Sequence, residues 1–317
     1  MSVTALGGLL LCAGCKRFSS SNTICVIPRQ ASESMWVSEH VGANDAASQY
    51  HVNIYWNGPT EEGDVEPQIE LADRAIRDHD LGLVLSPNNP FALNTAVERS
   101  LEAGIPVAIV GNPVSLANEE RLTFVLNDER EAGTLLAHRV EQVLNHHGEV
   151  LILGIDPVAS RYPDRAAEFE TTLSREDPDI HVVERVKSAF NFGAAELSAE
   201  QAILAHPHLA AIVSLNTEAS RGAVAAVNAT HRATHISIIG CDYSMALVFL
   251  LRHGLIDSLV AQNMRAMGEL AVESVMKESR GTPVPAKIYL KPVLITRDNI
   301  DSDPIQWMLY MDWRVRR

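Results

Sequence analysis

From Thr23 onward, short β-branched or apolar runs alternate with longer segments whose apolar residues recur at helical spacing. That is the pattern of βαβ units built around a parallel sheet. In the first half the runs Ile24 to Ile27, Val52 to Trp56, Leu81 to Leu85, Val107 to Val110 and Phe124 to Leu126 predict strands. The segment before Leu81 carries Ile69, Ala72 and Ile76 at i, i+3 and i+7, with Glu70, Asp73, Arg74 and Arg77 on the remaining face. It predicts a helix that covers one side of the sheet. The next helix follows Pro90 and ends at Gly104, because proline suits a first turn and glycine a left-handed stop.

The alternation then restarts. Helices are expected from about Glu129 to His147, closed by Gly148, then Asp164 to Arg175, Ala195 to Ala205, Glu218 to Val227, Met245 to Leu251 and Ala266 to Glu278. Between them lie strand candidates Val150 to Leu153, Val182 to Val186, Ala211 to Leu215, Ile236 to Ile239 and Leu259 to Ala261, and an extended tail Ile288 to Ile295 follows. Two such runs, with one late helix returning after the second, predict an α/β protein of two doubly wound parallel-sheet domains joined by a multi-crossover hinge. The expected division is 23–127 plus 263–290 for the N-terminal domain and 128–262 plus 291–310 for the C-terminal one, with 1–22 outside both. A ligand cleft is expected between them.

A length of 317 residues agrees with two domains of ordinary size. The 46% apolar and 21% charged fractions are those of a soluble globular chain. A formal net charge of −14 repels phosphate backbones and anionic lipid, so nucleic acid is excluded as a partner.

The apolar run Leu6 to Gly14 is too short to span a bilayer and precedes Cys15-Lys16-Arg17, which reads as an export signal. Leu11-Cys12-Ala13-Gly14-Cys15 resembles a bacterial lipoprotein signal. The resemblance implies acylation of Cys15, extracytoplasmic or periplasmic location, and membrane attachment through a lipid anchor alone. Cys25 and Cys241 fall in or at the end of strands and are expected to be small buried hydrophobes, not a disulfide framework.

Ligands of open α/β sheets bind beyond the carboxyl ends of the strands. The residues there are Arg29, Asn88, Asn112, Asn127, Asp128, Asp156, Asn191, Asn216, Asp242 and Gln262. Planar amides and carboxylates can bridge two vicinal sugar hydroxyls at once, and Met35, Trp36, Phe190 and Phe192 are candidates for the apolar wall against the sugar's C–H face. Strand-end Asn and Asp also cap helices and close turns, so each single position carries that plainer alternative.

Leu204-Ala205-His206-Pro207-His208-Leu209-Ala210-Ala211-Ile212-Val213 followed by Asn216, Ile238-Ile239-Gly240-Cys241-Asp242, and Val260-Ala261-Gln262 resemble segments of the type I periplasmic sugar-binding proteins of the ribose- and galactose-binding kind. The resemblance runs from Thr23 to about Ile295 and implies that Asn216, Asp242 and Gln262 contact the ligand. It also sets Met35 and Trp36 where that family carries stacking aromatics, Asn127-Asp128 at its crossover, and Arg165 where it carries an arginine that forks onto hydroxyls; Arg161 is the substitute. Gly111-Asn112 stands where ribose binders carry Asp-Arg, a departure that argues against ribose itself. Arg29 is the candidate compensating donor.

The resemblance implies a monomeric solute receptor that hands a sugar or sugar-like polyol to an ABC permease. One alternative is a ligand-sensing receptor for a membrane sensor kinase or chemoreceptor. Another is a hydrolase or isomerase using Asp128 and Asp242. No GxSxG, P-loop, GxGxxG or HExxH motif occurs, so no catalytic residue and no cofactor is assigned. The first core strand, beginning at Ile24, leaves no room for the helix-turn-helix of a lac-repressor-type regulator. His146-His147 ends a helix beside Gly148, and His231 with His235 spans a turn, so no metal ligand set is expected.

Overall fold

The computed structural model describes residues 21–32, 34–61, 63–116, 120–155, 162–188, 191–232 and 234–310. The expectations placed on Cys15, Asp156, Arg161 and Phe190 lie outside the described residues. The first run comprises β1 (Thr23–Ile27), α1 (Ser34–Tyr50), β2 (Asn53–Trp56), α2 (Glu66–Arg77), β3 (Gly82–Leu85), α3 (Asn94–Glu102), β4 (Val107–Val110) and β5 (Leu122–Asn127). The second comprises α4 (Glu129–Leu144), β6 (Gly148–Leu153), α5 (Tyr162–Glu176), β7 (Ile180–Val186), α6 (Phe192–Ala205), β8 (Leu209–Ser214), α7 (Thr217–Ala229), β9 (Ser237–Cys241), α8 (Met245–Arg252) and β10 (Ser258–Ala261). The chain closes with α9 (Met264–Ser279), β11 (Lys287–Leu290), β12 (Val293–Thr296) and α10 (Asp303–Leu309).

These strands form two sheets, ordered β11-β5-β4-β3-β1-β2 and β12-β10-β9-β8-β6-β7. In the first, Cys25, Ile27, Leu83, Leu85, Val107 and Ile109 pack to one side with residues of α2 and α3. Their neighbours Ile24, Val26, Val84, Ala108 and Val110 pack to the other with α1 and α9. The period of two splits each strand between two buried faces, which is why parallel strands read as continuous apolar runs. The second sheet divides in the same way: Val150, Ile152, Val213, Ile239 and Val260 lie with α4 and α5, and Leu151, Leu153, Ile212 and Leu259 with α6, α7 and α8. Cys25 and Cys241 are fully buried, and burial pushes both thiols up to about 12, so they behave as apolar core groups.

The chain passes between the sheets three times: after β5, after β10, and between β11 and β12. Three expectations need correction. The tail Ile288 to Ile295 is two strands, β11 parallel to β5 and β12 antiparallel to β10. Lys291-Pro292 separates them, because proline offers no N–H to either ladder. The second sheet is therefore parallel except at that edge. Helix α4 stops at Leu144, earlier than His147, because Asn145 (φ 51°) and His146 (φ 66°) turn left-handed. Helix α3 begins four residues after Pro90, at Asn94, because Asn89 Oδ1 accepts from the backbone N–H groups of Phe91 and Ala92 and holds them in a turn. Helix α10, begun by Asp303-Pro304, is too short for the apolar period to announce it.

Candidate functional site

Adjacent strands β8, β9 and β10 deliver Asn216, Asp242 and Gln262 side by side at the carboxyl edge of the second sheet. Asp242 sits at φ 63°, a left-handed conformation that Asp tolerates better than most residues. Its N–H donates to Val260 O at 2.9 Å, which ties the turn to the next strand. Gly240 lies inside β9 and is not the turn. A Cβ there would meet Leu259 Cδ2 at 2.8 Å and Ser220 Oγ at 2.9 Å, so its role is close packing against α7. Gln262 Nε2 donates to Asp242 Oδ1 at 3.0 Å and lies 4.0 Å from Met35 Sδ. Met35 stands on the first turn of α1, after β1 of the other sheet, so this contact crosses between the two sheets. A second crossing is Met245 N–H, at the start of α8, donating to Ser34 Oγ at 3.4 Å.

Arg165, on the first turns of α5, is 1% exposed. Its Nε donates to Glu129 Oε2 at 2.7 Å and its Nη1 to Leu215 O at 3.0 Å. Asn127 Nδ2 donates to the other Glu129 oxygen at 3.1 Å. Burial by itself disfavours the guanidinium charge, but Glu129, with Asp242 nearby, holds it well above its ordinary value. The result is two buried groups, Met35 with Gln262 and Asp242, and Arg165 with Glu129 and Asn127, each residue less than a tenth exposed, with the charge of Asp242 felt at Arg165. Such a set is suited to hold polar groups in a place bulk water does not reach.

The other predicted residues are placed differently. Asn216 is buried, its Oδ1 accepting from Ala219 N–H as the N-cap of α7 and its Nδ2 donating to Gly154 O at 3.2 Å. Asp128 caps α4 by accepting from Glu131 N–H at 3.1 Å. For both, the capping alternative is part of what the structure shows. Arg29 is buried and its Nε donates to Asn88 Oδ1 at 3.3 Å. Asn112 is half-buried beyond β4, after Gly111 at φ 76°. Trp36 is 3% exposed and packs in the core. Phe192 opens α6 with the Arg221 guanidinium 5.1 Å from its ring centre.

Residues 24–283 match the family described as periplasmic binding protein domain. The chain belongs to that family. This periplasmic binding protein is 26% identical to the D-ribose/D-allose-binding protein of Pseudomonas aeruginosa over 225 residues, 70% of each chain. It is 26% identical to the ribose import binding protein RbsB of Bacillus subtilis over 192 residues, 61% of each. Among solved structures it resembles an ABC transporter solute-binding protein of Agrobacterium vitis bound to α-D-tagatopyranose, with TM-score 0.82 and 21% identity over 91% of this chain and 99% of the other. A periplasmic solute-binding protein of Actinobacillus succinogenes with bound D-allose gives TM-score 0.81 at 21% identity, covering 87% and 98%.

Two residues that organise the candidate site and its loops were not singled out from the sequence. Glu129 registers there only as the start of a predicted helix, yet it organises Arg165 and Asn127. A buried arginine requires a carboxylate partner, which is the signal that points to it. Gln68 is fully buried and donates to Pro28 O at 3.0 Å and Ser86 O at 2.8 Å, while its Oε1 accepts from Asn88 N–H. It thereby fixes the loops after β1 and β3, and its place on a helix face gave no sign of this.

Proposed function

We propose that this chain captures a sugar or sugar-like polyol between the carboxyl edges of its two sheets and delivers it, unchanged, to an ABC importer. The observation that carries the reading is the pair of buried groups, Gln262 with Asp242 and Arg165 with Glu129, close enough for Asp242 to act on the Arg165 charge, with Met35 reaching the first from the other sheet. A carboxylate, an amide and a guanidinium held together without bulk water are complementary to vicinal hydroxyls, each of which both donates and accepts. The ribose, allose and tagatose named for the relatives belong to the same chemical class. Asp242, Gln262, Arg165, Asn216 and Asn127 are the proposed polar contacts, and Met35 the apolar one. Arg29, Asn112, Asp128 and Trp36 are proposed as further contacts, together with Phe190, which lies outside the described residues. The proposal divides the chain into 23–127 plus 263–290 and 128–262 plus 291–310, and includes anchoring at an acylated Cys15.

The test is a thermal-shift screen of pentoses, hexoses and cyclitols, since a ligand bound only to the folded state stabilises by RT ln(1 + [L]/Kd). Calorimetry on the best ligand follows. Hydrogen bonds to a charged group are worth about 1.5–3 kcal/mol, so Asp242→Gly, which suits the left-handed backbone, should weaken binding at least tenfold. Asp242→Asn should lose less. A folded Asp242→Gly protein with wild-type affinity, or chemical conversion of the ligand, would contradict the reading.

A further inference from the structure

At the opposite edge of the second sheet, where β6 begins at Gly148, helices α4 and α5 end side by side. His138 and Glu141 stand one turn apart near the end of α4, and Glu176 is the last residue of α5. One nitrogen of His138 and one carboxylate oxygen from each of Glu141 and Glu176 lie within 4.8 Å of one another. His138 Nε2 is 3.0 Å from Glu176 Oε2, while Arg175 engages the other oxygen, Oε1, at 2.6 Å. Asp177 follows directly, its Oδ1 2.5 Å from His146 Nδ1.

Glu141 distinguishes this cluster from an ordinary solvated acidic surface. The residue is 9% exposed, and its Oε1 is buried with no hydrogen-bond partner among the described residues. Asp177, whose carboxyl comes within hydrogen-bonding reach, and Glu176 are of like sign, against His138 alone, so the group nearest Glu141 is another acceptor and not a donor. A buried carboxylate oxygen without a donor is unfavourable, and a cation supplies what no donor does. The carboxyl-terminal ends of two helices add their partial negative charge at the same place.

We propose that His138, Glu141 and Glu176 bind a divalent transition-metal ion of the zinc class. One imidazole nitrogen with two carboxylates is a mixed nitrogen and oxygen set; it suits zinc, cobalt or nickel, whereas calcium and magnesium take oxygen alone. Metal–ligand distances of about 2.0–2.2 Å require the three atoms to draw closer, and rotation of the half-exposed His138 and exposed Glu176 side chains provides that movement. Water completes the coordination, and Asp177 with His146 flanks it. The ion would fasten α4 to α5 at the edge of the sheet remote from Asp242. This site is independent of the sugar reading.

The experiment uses the full chain stripped with EDTA and titrated with zinc chloride at neutral pH by calorimetry, with cobalt absorption reporting geometry. The expected result is one equivalent bound with a rise in melting temperature, no comparable effect of magnesium or calcium, and loss of affinity by at least about tenfold in His138→Gln and in Glu141→Gln. Asp242→Gly should bind zinc as the wild type does. Absence of stoichiometric zinc binding overturns the proposal. So does tight binding that survives His138→Gln, because the ion would then sit on other histidines of the chain. Should Glu141→Gln fail to fold, His138→Gln, on a half-exposed helix face, decides alone.

Discussion

Glu39 is fully buried on α1, and its two carboxylate oxygens accept from Ser86 Oγ at 3.1 and 3.2 Å. Burial pushes its carboxyl up to about 8, only partly offset by that hydroxyl. The folded state therefore holds a proton that the unfolded chain releases near the ordinary value of 4.5. The stability tied to this proton is fully present below that value and is lost as pH rises through about 8. Glu39→Gln carries no such proton, so its stability relative to wild type should rise between pH 5 and 8 by up to a few kcal/mol, because each tenfold difference in proton affinity between folded and unfolded states is worth about 1.4 kcal/mol. Urea unfolding of both proteins at several pH values measures this, and a pH-independent difference would contradict it. Buried His40, held down to about 4 by desolvation, acts in the opposite sense, but it is common to both proteins. Nothing in the sequence marks Glu39. A carboxylate on a helix reads as solvated until the packing partner is known.

Among the elements, the pair least visible beforehand is α1 with α9, which come from opposite ends of the chain. They meet backbone to backbone. A Cβ on Gly42 would lie 1.8 Å from Arg265 O, and one on Gly268 2.2 Å from Glu39 O. Overpacking of this kind typically destabilises by about 1–3 kcal/mol, and here the obstacle is main chain, which yields less readily. Gly268→Ala should therefore lower the melting temperature by several degrees, and an unchanged melting curve would show that the helices can separate. In sequence, glycine inside a helical run reads only as a weakness of the helix. By contrast α2 was legible from its period: Ala72 is fully buried, and Ile69 and Ile76 pack against the first sheet. The tail was half legible. Its extended character shows in Ile288 to Ile295, and the expected division already breaks it between 290 and 291, but the antiparallel pairing of β12 with β10 depends on how the strand enters the second sheet.

For the whole molecule, three strand-end crossovers are the covalent links between the two sheets. Contacts such as Met35 with Gln262 and Ser34 with Met245 are what hold their carboxyl edges together. Such non-covalent contacts are reversible, and rotation about 127–128, 262–263 and 291–292 would open the site. In solution scattering, the protein saturated with its sugar should match the dimensions of this structure, and the ligand-free protein should be larger. Identical dimensions in the two conditions would argue against rotation.

Local order determined much of this protein. Apolar alternation specifies the strands and helices, and the restart at Glu129 divides them into two runs. Polar residues at strand ends are also legible, because the carboxyl edge of a parallel sheet is where its loops emerge. Sequence could not say which of them meet. Gln262 with Asp242, Arg165 with Glu129, and His138 with Glu176 are pairs separated by 20, 36 and 38 positions. Their distances depend on how helices cross and how sheets face each other. Only the packed fold decides that, because burial and pairing of charge are properties of three-dimensional surroundings and not of neighbours along the chain.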